Sequence, residues 1–247
     1  MKSRLKKILS AFAALLLTLQ APLSVGALQC DGSAACRLPQ TADAGEDYLA
    51  SLYFFGESTT AHLCRTGGVM ENDPHVLRDA TGTRMLDART ARSPVEIQTD
   101  KGSIPLPLCE ALEVLRPSVL VLSFGLNGVV SFSKNTDRYV SLYRALIGEI
   151  LQASPTTRII LQTVYPVCRA DRFSVDVCTL NAYIRVLNNS LDAVAADFEN
   201  VRIADTASIL CAPDGSLEEC YHVGDGIHLS NQAYQKILLY LRTHAWL

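Results

Sequence analysis

The segment SVLVLSFGLNG, residues 118–128, gives a strong indication of the fold of this chain. Its first seven residues are almost continuously apolar, which is typical of a strand covered on both faces. Residues 49–55 form a second run of this kind, and further strands are predicted at residues 95–99, 158–164 and 200–204. Segments with apolar residues at helical spacing lie between them. This alternation predicts an α/β fold, a parallel sheet with helices on both faces.

Helix signals also help to locate a site. Thr136 can cap one helix, a second is predicted at residues 180–198, and Ser230 can cap a last one. Ligands on parallel sheets bind beyond the carboxyl ends of the strands. Ser58 and Asn127 each follow a predicted strand, so both are expected at the same edge of the sheet.

The N-terminal region has the pattern of a secretory signal peptide. Basic residues are followed by an apolar run at residues 8–19 and by small residues that end at Ala27. We predict a signal peptide at 1–27, a polar segment at 28–48 and one domain at 49–247. The chain is then secreted or associated with the cell envelope, without a membrane span after cleavage behind Ala27. An uncleaved anchor remains an alternative.

Charge excludes one class of partner. The signal peptide contains four of the 22 basic residues and none of the 25 acidic ones, so the mature chain has a net charge of about −7. Proteins that bind nucleic acid need basic surfaces to neutralise phosphates. We therefore expect no nucleic-acid partner.

All eight cysteines follow the predicted cleavage site, and an even number in an exported chain favours disulfides. Short loops suggest three pairs and leave a fourth: Cys30–Cys36, Cys168–Cys178, Cys211–Cys220 and Cys64–Cys109. Buried reduced thiols are the alternative. The chain has no CxxC motif, so no metal site is expected.

Three short motifs could carry chemistry. Ser58 follows a strand in Gly-Glu-Ser-Thr, and a serine hydroxyl becomes a good nucleophile only beside a base. Asp225 lies three residues before His228, so the carboxylate could orient the imidazole that serves as this base. The side-chain amide of Asn127 could donate a hydrogen bond to an oxyanion. Each motif also has a plain structural interpretation, as a helix cap for Ser58 and as turns for the others.

Together these motifs resemble the SGNH/GDSL hydrolase superfamily. The resemblance covers about residues 49–247 and is strongest at YFFGESTTAHL, LSFGLNGV and GDGIHLS. It implies a three-layer α/β/α sandwich, a flavodoxin-like arrangement around a parallel sheet. Two positions depart from the family pattern. Glu57 replaces the usual aspartate before the serine, and Gly128 replaces the aspartate that often follows the asparagine.

The resemblance also implies roles for individual residues. Ser58 would be the nucleophile, His228 the general base and then acid, and Asp225 the residue that orients it. The backbone N–H of Ser58, the side chain of Asn127 and a glycine N–H would form the oxyanion hole. In family order this glycine follows the second strand. Gly102 fits best, and the alternatives are Gly67, Gly68 and Gly82. His222 is expected to be a loop residue, and His62 a surface or core residue, with a place in the pocket lining as the alternative.

The predicted function is that of an exported serine ester hydrolase with a covalent acyl-enzyme. Its expected substrates are short acyl esters, such as acetyl groups on carbohydrates or cell-envelope glycans, and no cofactor is expected. An O-acyltransferase with the same catalytic residues is one alternative. Others are a non-catalytic glycan-binding module and a structural envelope protein anchored by residues 8–19.

Overall fold

The computed structural model describes residues 36–79 and 85–247. The predicted signal peptide, Cys30 and Gly82 lie outside these residues. The strands of the described chain are β1 (Leu52–Gly56), β2 (Val76–Leu77), β3 (Pro94–Thr99), β4 (Gly102–Pro107), β5 (Val119–Ser123), β6 (Arg158–Gln162) and β7 (Val201–Ala204). The helices are α1 (Gly45–Ala50), α2 (Ser58–Ala61), α3 (Leu108–Leu115), α4 (Val129–Phe132), α5 (Thr136–Ala153), α6 (Val177–Ala195) and α7 (Asn231–Thr243).

Five strands form a parallel sheet in the order β2-β1-β5-β6-β7. Every residue of β5 is buried, as its continuous apolar sequence predicts for a central strand. In the register of the sheet, Phe54 of β1 lies beside Val121 of β5. The α/β prediction is therefore confirmed, and four of the five predicted strands lie in this parallel sheet, with ends shifted by at most three residues.

Two hydrophobic clusters lie on opposite faces of this sheet. Successive side chains of a strand point to opposite faces, and in β1 Phe55 belongs to one cluster and Phe54 to the other. Helices α3, α5 and α6 contribute to the cluster around Phe55, whereas α1 and α7 contribute to the cluster around Phe54. The sheet is thus covered on both sides, which confirms the three-layer α/β/α arrangement.

The predicted strand at residues 95–99 is present, but not in the parallel sheet. It forms β3, which pairs antiparallel with β4 in a separate two-stranded hairpin. Burial alternates along it, since Val95 and Ile97 are buried and Glu96 is exposed, the pattern of a strand with one face toward solvent. The second strand of the parallel sheet is instead β2.

The helix predictions are correct in position, with changes at the ends. Asn135, not Thr136, caps α5, because its side-chain oxygen accepts the N–H of Arg138 at 3.0 Å. Helix α6 begins at Val177, three residues before the predicted start. Ser230 caps α7 as predicted. None of the helices in the described part of the chain is both long and apolar enough to cross a bilayer.

The seven cysteines within the described ranges are free thiols. The pair Cys64–Cys109 is excluded by the fold, because Cys64 lies in the cluster around Phe54 and Cys109 packs against the cluster around Phe55. The sheet separates the two side chains, and a disulfide needs Cα atoms within about 7 Å. Cys168–Cys178 and Cys211–Cys220 are likewise not formed in this structure, and Cys30–Cys36 involves a residue outside the described ranges. These three pairs remain predictions.

Candidate active site

Ser58 lies directly beyond the carboxyl end of β1, as the first residue of the short helix α2. The turn between them needs a glycine at Gly56, because a Cβ atom there would lie 2.4 Å from the carbonyl oxygen of Ser123. A larger residue would push β1 away from β5. The close approach of these two strands therefore sets the position of the serine.

His228 and Asp225 lie on the loop that precedes α7. The Nε2 atom of His228 is 3.1 Å from the Oγ atom of Ser58, and its Nδ1 atom is 2.6 Å from Oδ2 of Asp225. Ser58 and His228 are 170 positions apart in sequence. The fold thus brings the three side chains into one chain of hydrogen bonds, the arrangement that lets an imidazole accept a serine proton.

The Asp225 carboxylate is held in its ionised form. Partial burial alone would raise its pKa. Hydrogen bonds from the His228 ring and from the backbone N–H groups of Ile227 and His228 outweigh that effect and lower the pKa well below the usual range. The two backbone bonds measure 3.0 and 2.9 Å and end on Oδ1, so Oδ2 is left to the imidazole. The carboxylate is therefore fixed in orientation as well as in charge.

Helix α7 also fixes the segment that carries Ser58. The hydroxyl of Tyr234 in α7 donates to the backbone carbonyl of Thr59 at 2.5 Å. Tyr234 is fully buried between the sheet and α7. The element that follows the histidine loop is thus bonded directly to the residue that follows the serine.

Asn127 lies in a 3-10 turn, Leu126–Gly128, directly after β5. It lines the same cleft as Ser58 and His228. Two residues before it, Gly125 has a φ of 142°, and a Cβ atom there would lie 2.7 Å from Val164. This turn brings the Asn127 side chain to the edge of the sheet where Ser58 lies.

Glu57 has a role that its position in the sequence did not predict. Its carboxylate crosses from the end of β1 to the turn after β5, where it accepts the N–H of Gly125 at 2.9 Å and that of Asn127 at 3.0 Å. Burial raises its pKa to about 7, although the backbone hydrogen bonds oppose this shift. Glu57 therefore anchors the turn that carries Asn127. Its partners lie about 70 positions away, so no local pattern signals this contact.

His222 is a second residue whose contribution the sequence did not indicate. Its Nδ1 atom accepts the backbone N–H of Gly224 at 2.8 Å and that of Gly226 at 3.0 Å, on either side of Asp225. Because Nδ1 accepts, the ring proton of the neutral imidazole lies on Nε2. The side chain is only 4% exposed. Through these two hydrogen bonds, His222 holds the loop that carries Asp225 and His228.

A small cluster beside this loop has the residue types of a metal site. Atoms of Cys168, Glu219 and His222 lie within 4.8 Å of one another. The Nε2 of His222 is 3.2 Å from a Glu219 oxygen, without the alignment of a hydrogen bond. A metal-binding histidine normally donates its second ring N–H to an acceptor. Here Nδ1 instead accepts two N–H groups, so Nε2 carries the proton and has no lone pair for a metal.

His62 packs against the candidate base. Its ring lies 4.6 Å from that of His228, at an interplanar angle of 35°. Burial lowers the pKa of His62, and the charges of His228 and Arg65 lower it further. His62 therefore favours the neutral form and places an uncharged ring beside His228.

Gly102 is not near these side chains. It is the first residue of β4, exposed in the hairpin turn, and the space around its Cα is open. Its assignment depended on the strand at residues 95–99 being the second strand of the parallel sheet, and that strand is β3 of the hairpin. The assignment is therefore wrong. After β2, the true second strand, family order leads to Gly82, which lies outside the described residues.

The cleft at Ser58 has two connected parts. The inner part, of about 480 Å³, is lined by Ser58, His228, Leu126 and Ile227. The outer part, of about 680 Å³, runs along the residues that follow Asn127. Both parts are lined by Met85, Asn127, Arg172 and Phe173. The candidate nucleophile thus lies in an open cleft that is lined by both polar and apolar residues.

Known proteins resemble this chain at low sequence identity. Among curated proteins, none matches it significantly. A Bacteroides fragilis protein provisionally assigned as an acylhydrolase is 18% identical, with a TM-score of 0.52 and coverage of 87% of this chain and 94% of that one. A protein from "Streptococcus pneumonia", provisionally assigned as a platelet activating factor, is 17% identical, with a TM-score of 0.51 and coverage of 78% and 82%. Both share the fold.

A family match extends over most of the described domain. Residues 54–236 match the GDSL-like lipase/acylhydrolase family. The matched region includes the motifs at Ser58, Asn127 and His228, on which the resemblance to SGNH/GDSL hydrolases was based. The chain therefore belongs to the GDSL-like lipase/acylhydrolase family and is a carboxylic ester hydrolase.

Proposed function

We propose that this protein is an exported serine esterase in which Ser58, His228 and Asp225 form the catalytic triad. The observation that carries the proposal is the continuous set of hydrogen bonds from Ser58 Oγ through the His228 ring to Asp225, with distances of 3.1 and 2.6 Å. This geometry matches the roles of nucleophile, base and orienting carboxylate.

The reaction begins when His228 Nε2 accepts the proton of Ser58 Oγ and this oxygen attacks the acyl carbon. Negative charge then develops on the carbonyl oxygen. The backbone N–H of Ser58, at the start of α2, and the side-chain amide of Asn127 donate to it. A glycine N–H is the third donor, and Gly82 is our candidate in place of Gly102. His228 next gives its proton to the leaving alcohol, and water attacks the acyl-enzyme by the same route in reverse.

The proposed substrates are short acyl esters, especially acetyl esters, of carbohydrates or cell-envelope glycans. The open cleft and its polar lining at Asn127, Ser131 and Arg172 support this class, since sugars offer hydroxyl groups to such side chains. The signal-peptide pattern of residues 1–27 supports export. Sequencing the N terminus of protein recovered from the culture medium tests that part, and we expect a start near Leu28.

The decisive experiment compares wild-type protein with Ser58→Ala and with Ser103→Ala. Ser103 is an exposed serine of the β3–β4 hairpin and serves as the matched control. We expect wild type and Ser103→Ala to react with a fluorophosphonate and to hydrolyse aryl acetates faster than longer aryl esters. Ser58→Ala should remain unlabelled and lose activity by on the order of 10⁶-fold.

Labelling of Ser58→Ala, or a folded wild type that does not react at all, would contradict the proposal.

Whether water or a sugar hydroxyl accepts the acyl group is tested in the same assay by adding a free sugar. A hydrolase releases acetate whether or not the sugar is present, whereas an O-acyltransferase forms the sugar ester through the same acyl-enzyme. Product analysis therefore separates these two activities.

A further inference from the structure

The outer part of the cleft has a charge pattern that the proposed ester chemistry does not require. Its lining includes two cationic side chains, Lys134 and Arg172. Among the described residues that line either part of the cleft, none is an aspartate or a glutamate. The chain as a whole has more acidic than basic residues. A positive cleft in an acidic protein attracts anions, because walls of one charge focus the local potential.

Neither cation is neutralised within the described structure. Lys134 and Arg172 are exposed and take part in none of its ion pairs or side-chain hydrogen bonds. Asp171, the acidic residue next to Arg172 in sequence, lines a separate depression together with Arg169. The guanidinium and the ammonium are therefore available to a ligand.

The position of Arg172 connects the positive charge of the outer part of the cleft with the proposed site of ester hydrolysis. Arg172 lines both the inner part, which contains Ser58 and His228, and the outer part, which contains Lys134. A single small ligand can therefore place its ester at Ser58 and an anionic group at Arg172. A guanidinium binds a carboxylate or phosphate through two parallel hydrogen bonds, whereas an ammonium acts as a point charge.

We propose that the substrate is an acyl ester that carries a carboxylate or a phosphate, bound by Arg172 with Lys134 as the second cation. Phe173 and Met85 provide an apolar wall beside the anion, on which the ring of a sugar can lie. This inference rests on the proposed esterase function and specifies the substrate of that same site. It predicts a preference for anionic esters over neutral ones of the same size.

The test uses three O-acetylated probes that differ in charge: methyl glucoside, methyl glucuronide and glucose 6-phosphate. We expect wild type to show a kcat/KM at least about tenfold higher for one or both anionic probes than for the neutral one, as a charge-assisted hydrogen bond would give. The glucuronide and the phosphate separate the two sources of negative charge. In Arg172→Ala this ratio should approach one, and Arg172→Lys should retain part of it.

Arg138→Ala is the matched control, because Arg138 is an exposed arginine of α5 outside the cleft lining. It should leave the preference unchanged. Equal turnover of the three probes by wild type would overturn the inference, as would an equal loss on all probes in Arg172→Ala, which would indicate a purely structural role. Added salt should weaken the preference, since it screens exposed charges.

The failure of the inference can be distinguished from that of the esterase function. Hydrolysis of a neutral aryl acetate by wild type, and its loss in Ser58→Ala, reports on the triad without reference to Arg172. If no ester is hydrolysed, calorimetric titration of Ser58→Ala with methyl glucuronide and, separately, with glucose 6-phosphate still tests the anion site. Binding that is lost in the Ser58→Ala/Arg172→Ala double variant supports the site, and no binding contradicts it.

Discussion

At the scale of single residues, His222 shows how the loop with Asp225 and His228 is held in place. The imidazole accepts the N–H groups of Gly224 and Gly226 through one nitrogen atom, and neither group has another acceptor in the described structure. Gly226 has a φ of 75° and lies against Arg169, so the loop has little room to reorganise. We therefore regard His222 as a positioning residue.

Replacement of His222 by phenylalanine should slow the enzyme by about tenfold, because two backbone donors lose their acceptor and the loss at the buried Gly226 costs about 1–3 kcal/mol. His222→Asn should restore much of the rate, since the asparagine oxygen can take the place of Nδ1. The measurement is kcat/KM together with the rate of fluorophosphonate labelling. Equal impairment in both variants, or full activity in His222→Phe, would refute this role.

At the scale of elements, the site depends on the ends of two neighbouring strands. Ser58 follows β1 and Asn127 follows β5, and the buried carboxylate of Glu57 joins the two turns through hydrogen bonds to Gly125 and Asn127. A change at Glu57 is therefore expected to affect the position of Asn127, the proposed oxyanion donor, although Glu57 is not a member of the proposed triad.

Glu57→Gln should lower kcat by about tenfold at pH 8 while KM changes little, since an amide can accept only one of the two N–H groups and one buried donor is left unpaired. The pH is chosen because Glu57, with a pKa of about 7, is ionised there in the folded enzyme. Steady-state kinetics on an aryl acetate provide the measurement. A rate equal to that of wild type would show that the turn keeps its position without the carboxylate.

The elements also show which strands can be predicted from sequence patterns and which cannot. Apolar runs identified β1, β5 and β6, because a strand buried on both faces is apolar along most of its length. The shorter strand β7 is also predicted, although it contains Arg202. The prediction that β3 belongs to the parallel sheet is wrong, because the alternation of Val95, Glu96 and Ile97 is typical of a strand with one face toward solvent. Strand β2 contains only two residues, too few for any period to be recognised.

The same limit applies to the candidate site. Local patterns identified Ser58, Asn127, Asp225 and His228, because each motif combines a turn with a suitable functional group. The contacts of Glu57 with the turn after β5 were not predictable, as they join residues about 70 positions apart. The Gly102 assignment failed for a related reason, since it was derived from a strand order that the chain does not have.

At the scale of the whole molecule, Glu57 links the stability of the fold to pH. Burial raises its pKa to about 7, from an ordinary value of 4.5 that applies when the chain is unfolded. Between these two pH values the folded protein holds a proton that the unfolded chain has released. The contribution of this group to the free energy of unfolding is therefore fully present below pH 4.5 and is lost as pH rises to about 7.

We expect the free energy of unfolding of wild type to fall by on the order of 3 kcal/mol across this interval through Glu57 alone, because each unit of pKa shift corresponds to about 1.4 kcal/mol. Glu57→Gln has no proton to exchange and should lack this component. Urea denaturation of both proteins at several pH values from 4.5 to 7.5 provides the measurement. Parallel curves for the two proteins would contradict the assignment. Asp225 does not interfere, since its lowered pKa acts only at more acidic pH.

The distance in sequence between Ser58 and His228 also bears on how the protein acquires activity. Contacts between residues 170 positions apart close large loops, and closures of this kind are late and slow events when a chain folds. Helices and individual strands can therefore form in a nascent or refolding polypeptide that still cannot cleave any ester. Esterase activity therefore indicates that the complete tertiary structure has formed. It is a more stringent measure of correct folding than helical content is.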